Sequence, residues 1–283
     1  MRIVLMPNLT RKEAFKVTAG ICESLKKLGA EYCFSPEYKN EFEFTGADFL
    51  PVEEAVSACD AVIAIGGDGS IIHAAKLAVT EKKPILGINA GRLAFMAGLE
   101  DNELNLLSRL IEGDYTLDKR LLLKTKIIDA DGNVTDKGYS VNDCLITNEE
   151  KQRMTAIDVA LDGKKFNSYL CDGVLVSTPT GSTAYSLSAG GPIVDPELES
   201  ILLTPLCPHS LVDRSLIFST DAVITVTSAE DLPLCISNDG AQPVVIEPGC
   251  RAEISRAGLT ADFIRIKSDN FIDILYKKLA QRR

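Results

Sequence analysis

The chain of 283 residues is 46% hydrophobic and 25% charged, the balance of a soluble globular protein with a substantial core in one large or two ordinary domains. Its net charge of −10 disfavours nucleic acid and anionic membranes as partners, so an anionic ligand has to be held by local backbone N–H groups, a few basic side chains and a metal. The eight cysteines form no CxxC pair and are irregularly spaced, which argues for buried thiols in a reducing cytoplasm over zinc or disulfides. The apolar run before Pro7 is too short for a secretory signal and no segment is long enough to span a bilayer, so a cytoplasmic protein without a membrane partner is expected.

In chain order, residues 3–6 read as a first strand and residues 11–28 as a helix, with Ala14, Val17, Ile21, Leu25 and Leu28 on one face and Gly29 as its stop. Residues 32–34 form a second predicted strand, and residues 37–46 read as a polar loop with two aromatic anchors. Ala61 to Ile65, small or β-branched throughout, predict a buried parallel strand. Gly66-Gly67-Asp68-Gly69 then predict a turn, with Ser70 as cap of a helix from Ile71 to about Val79. Residues 84–89 form another strand, and residues 101–111 a helix capped by Asp101 and ended by Gly113. Alternating strands and helices argue for a parallel sheet with helices on both faces.

The grammar changes after about Tyr115. Residues 121–128, 139–147 and 155–161 read as strands, with Asp131-Gly132 and Asp162-Gly163 as hairpin turns, and strand-like runs continue to residue 255. Residues 268–279 return to helix, with Phe271, Leu275 and Leu279 as its apolar face. The expected division is an α/β domain over 1–116, a mainly antiparallel β-rich domain over 117–265, and a C-terminal helix over 266–283 returning to the first domain.

Strand, glycine turn and helix start over 61–71 together form an anion site: glycines admit a ligand close to the backbone, and the helix start presents unpaired N–H groups and a positive dipole end. A carboxylate there, Asp68, repels phosphate unless it accepts a proton from an attacking hydroxyl or reaches phosphate through a divalent metal. The competing reading is a tight βα turn with an Asx-type bond. The second unusual stretch, residues 172–191, has a strand over 174–177 running into Thr178-Pro179-Thr180-Gly181. A short helix through Ala189 follows, capped by Ser182 or Thr183. It exposes hydroxyls and N–H groups together, with Tyr185 able to stack on a planar ligand; the competing reading is a hydroxyl-rich connecting loop. Two such loops in separate domains suggest a nucleotide cleft at the domain interface. His73 faces either that cleft or the core, and Asp239-Gly240 is either a site element or a plain hairpin turn.

In order, Gly66-Gly67-Asp68-Gly69-Ser70, the 87–93 run (Gly-Ile-Asn-Ala-Gly-Arg-Leu), Val141-Asn142-Asp143, Asp172-Gly173 and the 177–191 run (Ser-Thr-Pro-Thr-Gly-Ser-Thr-Ala-Tyr-Ser-Leu-Ser-Ala-Gly-Gly) resemble the bacterial NAD kinase family. Pro208-His209-Ser210-Leu211 and Ile236-Ser237-Asn238-Asp239-Gly240 extend the likeness, which covers about 60 to 275. The glycine turn recurs in lipid kinases and phosphofructokinase relatives, whereas the 177–191 run is highly specific.

The resemblance implies phosphorylation of NAD by ATP, assisted by Mg²⁺ or another divalent metal, at the 2′-hydroxyl of the adenosine ribose. It implies that Asp68 orients and deprotonates that hydroxyl and that Gly67, Gly69 and Ser70 border the phosphates. Asn142 and Asp143 match a pair contacting the adenosine, Asp172 a ligand-contacting carboxylate, and Thr180, Thr183, Ala184, Tyr185 and Ser188 the loop around NAD. It further implies a homodimer or homotetramer in which a neighbouring subunit helps complete the NAD site. Four residues depart from the family pattern: Asp143 stands for glutamate, Ser70 for threonine, Leu170 for a common arginine and Ala94 for glycine. Two other readings compete. A lipid kinase would need a basic amphipathic segment to hold a membrane surface, which this chain lacks, and has no place for the 177–191 loop; a catalytically quiet NAD(P)-binding sensor leaves an intact Asp68 unexplained.

Overall fold

The computed structural model describes residues 1–91, 94–149, 153–268 and 270–281, without the side chains of 278, 279 and 281. Arg92 and Leu93 of the 87–93 run and the side chain of Leu279 lie outside the described residues. The chain divides into two compact units: Met1–Lys119 with the chain from Ala261 onward, and Arg120–Thr260.

The first unit is built on β1 (Arg2–Pro7), α1 (Ala14–Lys27), β2 (Glu31–Phe34), α2 (Lys39–Phe42), β3 (Asp48–Phe49), α3 (Val52–Ala58), β4 (Ala61–Gly66), α4 (Asp68–Thr80), β5 (Ile85–Asn89) and α5 (Leu107–Glu112). Its strands lie in the order β5-β4-β1-β2-β3, all parallel. Every residue of β4 is buried, as its uniformly apolar sequence requires of a strand covered on both faces. On one face Ala14, Val17, Ile21 and Leu25 of α1 close over Ile3, Leu5, Ile63 and Ile65. Gly29 ends that helix at φ +69°. Residues 37–46, expected as a loop, instead wind through short helical turns. Phe42 stacks on Phe34 at 4.7 Å and on Phe15 at 5.3 Å between ring centroids, and this ordering of aromatics draws a polar stretch into helix. The helix expected over 101–111 is a 3₁₀ turn at Leu104–Leu106 followed by α5, and Asp101 does not cap it; Gly113, at φ +75°, ends it.

The second unit runs from Arg120 within β6 (Thr116–Ile128) through β7 (Val134–Ser140), β8 (Asp143–Asn148), β9 (Thr155–Leu161), β10 (Lys164–Cys171), β11 (Gly173–Ser177), α6 (Tyr185–Ser188), β12 (Ser200–Leu206), β13 (Leu216–Ser219), β14 (Ile224–Ser228), β15 (Leu234–Asn238), β16 (Val244–Ile246) and into β17 (Arg251–Arg265). One antiparallel sheet has the order β13-β12-β11-β8-β15-β16. A second antiparallel set places β9 between β10 and β14 and pairs β14 with β17. The inward residues of both, among them Ile146, Val174, Val176 and Leu203 with Ile157, Val159, Ile224 and Ile254, make one core. Asp162 and Gly163 both take positive φ, the geometry of the two-residue hairpin read from the sequence. From Ala261 onward β17 belongs to the first unit, where Phe263 pairs with Ile85 in parallel, and α7 (Phe271–Gln281) follows.

One expected strand is not a single strand. Residues 139–147 break at Val141 and Asn142, between β7 and β8. The N–H groups of residues 141–143 are taken by the side chain of Asp239, so the ladder cannot run through them.

Candidate active site

The chain leaves β1 to build β2 and β3 on one side, then returns to β4 on the other. That makes the β1/β4 pair the topological switch point, outside whose carboxyl ends α/β proteins bind ligands. Asn8 follows β1 there, and Gly66 ends β4 with Gly67 and Asp68 following it. The two ends are tied together: the Asn8 N–H donates to the Ile65 carbonyl at 2.9 Å and the Asn8 side-chain amide donates to Ser70 Oγ at 2.8 Å. Asn8 Oδ1 accepts from the hydroxyl and N–H of Thr10 at 2.6 and 3.2 Å.

The helix begins earlier than its sequence suggests. Gly67 is the N-cap and Asp68 the first helical residue, with the N–H groups of Ser70 and Ile71 on the Gly67 carbonyl at 3.0 and 3.1 Å. Ser70 therefore is not the cap, and its hydroxyl serves the bond from Asn8. Gly66 is required by this closeness, because a Cβ there would stand 2.5 Å from Ser70 Oγ and 2.8 Å from Ser70 Cβ. Asp68 Oδ1 accepts the Met96 N–H at 2.8 Å, which anchors the carboxylate beside the first turn of α4. A Cβ at Gly67 would lie 3.7 Å from Arg11 Nη2, so a guanidinium stands over the turn. Gly69, Ser70 and His73 of α4 line a cavity of about 560 Å³ with Asn8, Thr10 and Tyr38. His73 is exposed rather than part of the core.

In the second unit, Thr180–Thr183 form a 3₁₀ turn and α6 follows from Tyr185. Neither Ser182 nor Thr183 caps α6: the buried Ser182 hydroxyl donates to the Val194 carbonyl at 3.1 Å and accepts the Val194 N–H at 3.0 Å, and Thr183 Oγ1 donates to the Thr180 carbonyl at 3.3 Å. Thr180 is buried and its hydroxyl accepts from Arg120 Nη1 at 3.1 Å. Tyr185 and Ser188 are exposed, Ala184 half-buried, and Asp172 exposed with its N–H on the Leu206 carbonyl at 3.0 Å.

The 177–191 loop, the Asn142-Asp143 pair and Asp239 meet at one place. β8 lies between β11 and β15 and runs opposite to both, so its start faces their two carboxyl ends. Thr178 donates its N–H to the Asn142 carbonyl at 2.9 Å and its hydroxyl to the Val141 carbonyl at 2.6 Å. Gly181 lies so close to the Asn142 backbone that a Cβ would be 2.0 Å from the Asn142 carbonyl oxygen. Asp239, at φ +52°, accepts from the N–H groups of Val141, Asn142 and Asp143 at 2.9, 2.7 and 3.1 Å. Asp143 is buried and Asn142 half-buried.

Sequence reading missed Asn8, Arg11, Met96, Arg120 and Thr178. Asn8 and Arg11 carry a usable signal, a polar and a basic residue just past the end of a first parallel strand. Met96, which acts through its N–H, carries none.

A parallel α/β unit with a glycine turn and a helix start at its switch point, followed in the same chain by an antiparallel unit with a hydroxyl-rich loop, has the parts of a nucleotide-binding protein. Family models for the ATP-NAD kinase N-terminal and C-terminal domains match residues 3–115 and 141–266. A NAD kinase of Caldanaerobacter subterraneus is 36% identical over 99% of this chain and 99% of its own, and one of Acetivibrio thermocellus is 32% identical over 100% and 98%. In fold, the chain resembles a yeast NADH kinase solved with NADH, at a TM-score of 0.91 and 22% identity over 99% of this chain and 87% of that one. It also resembles an Archaeoglobus fulgidus NAD kinase solved with ATP, at a TM-score of 0.79 and 22% identity over 99% of each. The chain belongs to the NAD kinase family.

Proposed function

We propose that this phosphotransferase moves the terminal phosphate of ATP to the 2′-hydroxyl of the adenosine ribose of NAD, with Asp68 orienting that hydroxyl and accepting its proton. The observation that carries the assignment is the position of Asp68: a carboxylate on the first residue of α4, fixed by the Met96 N–H, at the switch point of the parallel sheet. An ordinary aspartate, with a reference pKa of about 3.9, is a weak base for a ribose hydroxyl. A loose phosphoryl-transfer transition state needs little early deprotonation, so positioning and charge neutralisation carry most of the rate and the carboxylate takes the proton late.

Gly67, Gly69 and Ser70 border the phosphates, where the amides of the first turn of α4 and the guanidinium of Arg11 supply positive potential. His73, on the cavity wall, belongs to the same nucleotide-binding surface. Mg²⁺, commonly held by one or two carboxylates together with substrate phosphates, fits a turn that offers the single carboxylate of Asp68. Among the described residues no group of three or more His, Cys, Asp or Glu side chains makes a protein-only metal cage. When bound, the ion neutralises charge on the transferred phosphate. In the second unit Asn142, Asp143, Asp172, Thr180, Thr183, Ala184, Tyr185 and Ser188 hold the dinucleotide, with the exposed Tyr185 ring available for stacking. A homodimer or homotetramer belongs to the proposal, supported by the exposed apolar side chains of Leu211, Val212 and Ile217. A reducing cytoplasm is supported by eight free cysteines. No described helix is long and apolar enough to cross a membrane.

The test is NADP formation from NAD with ATP and Mg²⁺, wild type against Asp68→Asn. The expected result is turnover that collapses in the variant while NAD binding persists. A wild type that forms no NADP with ATP, another nucleoside triphosphate or polyphosphate overturns the proposal.

A further inference from the structure

We infer that Asp239 is a positioning residue for the dinucleotide site: with Thr178 it clamps the backbone of residues 141–143, so that Asn142 is presented to the ligand in a fixed place. The inference rests on the reading above, in which Asn142 contacts NAD.

The clamp has two jaws. From the end of β15, the Asp239 carboxylate accepts three main-chain N–H groups in a row, two on Oδ1 (Asn142 at 2.7 Å, Asp143 at 3.1 Å) and one on Oδ2 (Val141 at 2.9 Å). Its own N–H donates to the Asp143 carbonyl at 2.9 Å. From the end of β11, Thr178 donates to the carbonyls of Val141 and Asn142 and accepts the Gly181 N–H at 3.0 Å. At the break between β7 and β8 the three N–H groups and the Val141 carbonyl are thus taken by side chains that follow the two neighbouring strands, and the Asn142 and Asp143 carbonyls by the backbone N–H groups of Thr178 and Asp239. A carboxylate is the group for this task, being acceptor-only with two oxygens, and bonds to an ionised acceptor are roughly twice as strong as neutral ones.

The grip falls wholly on main-chain atoms. No hydrogen bond among the described residues uses the side-chain amide of half-buried Asn142. A segment with its backbone held on both sides and its polar side chain left over is arranged for a ligand. Asp239 also sits at φ +52°, where aspartate and asparagine are tolerated and most other residues are strained. Asparagine therefore keeps the shape and backbone preference of aspartate while placing an NH₂ group against at least one of the three N–H donors.

The experiment is steady-state kinetics on full-length Asp239→Asn, Thr178→Val, Thr178→Ser and Thr125→Val, with Tm for each. Thr125 donates to Asn238 Oδ1 at 3.0 Å beside the clamp and, among the described residues, makes no side-chain hydrogen bond to residues 141–143, so its valine variant is the control for destabilisation. The expected result is a rise in KM for NAD of about tenfold or more in Asp239→Asn and Thr178→Val, the scale of a lost hydrogen bond to a charged group in the first and of buried backbone groups left without their partner in the second. KM for ATP stays unchanged, Thr178→Ser recovers most of the loss, and Thr125→Val lowers Tm with KM for NAD intact. The inference is overturned if Asp239→Asn keeps KM for NAD within twofold, if both KM values rise alike, or if Thr125→Val gives the same rise. A wild type that binds NAD but makes no NADP sinks the kinase reading instead. The clamp is then tested by the Kd for NAD, which Asp239→Asn must raise.

Discussion

At the scale of single residues, the site is a set of backbone groups held still by side chains. Asp68 is held by a main-chain N–H from a residue 28 positions away, and Asp239 by three from residues 96–98 positions away. Removing the charge of Asp68 is expected to lower kcat by about 10²- to 10⁴-fold, the range of a lost general base, with KM for NAD changed far less. Gly181 has a sharper steric role. A methyl there would overlap the Asn142 carbonyl at 2.0 Å, and the obstacle is backbone, which cannot swing aside. Gly181→Ala is therefore expected to raise KM for NAD and lower Tm together, in contrast to Asp68→Asn, which leaves Tm in place. Asp68 was legible in the sequence because a carboxylate inside a glycine turn is chemically odd. Asp239 was legible as a residue but not in its role, because nothing local in Asp239-Gly240 says which amides its side chain will meet.

At the scale of elements, the decisive unit is β4, its glycine turn and α4. The register of β4 against β1 sets Asn8 next to Ser70, and Gly66 makes room for the contact. Gly66→Ala is expected to displace the start of α4 and raise KM for ATP. The strain should be relieved in the double variant Gly66→Ala/Ser70→Gly, and a double-mutant cycle on KM for ATP and on stability checks the coupling. The aromatic stack beneath residues 34–42 is a separate element with a separate test. Phe42 is fully buried between Phe34 and Phe15, so Phe42→Ala should cost about 3–5 kcal/mol in urea unfolding. The start of α4 was misplaced by three residues in the sequence because serine is a preferred cap and glycine a tolerated one. The bond from Asn8 took the Ser70 hydroxyl and left capping to Gly67.

At the scale of the whole molecule, two units with separate cores share one chain, and both bury thiols. Burial pushes the Cys22 thiol up to about 12, and those of Cys59 and Cys171 up to about 11. A thiol with its folded pKa raised binds a proton that the unfolded chain, with a thiol pKa of about 8.5, gives up. Its stabilising contribution is present below that value and is lost as pH rises from there through the folded pKa. The urea midpoint is therefore expected to hold steady from about pH 7 to 8 and fall above about pH 9. Cys207 is exposed while Cys22, Cys33, Cys59, Cys144 and Cys171 are buried. A thiol reagent at neutral pH should modify Cys207 rapidly in the native protein and the five buried cysteines only after denaturant is added, counted by mass spectrometry.

By itself the sequence determined the alternation of strands and helices in the first unit, the change to antiparallel strands after it, the glycine turn with its carboxylate and the family. All of these are written in local composition, spacing and motif. The tertiary structure decided which residues share a place. The break between β7 and β8, the meeting of Thr178, Gly181 and Asp239 around Asn142, and the link from Asn8 to Ser70 each depend on strands adjacent in the sheet but distant in the chain. A hydrogen-bond partner supplied from a neighbouring strand leaves no trace in the local pattern, because the residues around it are chosen for their own strand and turn.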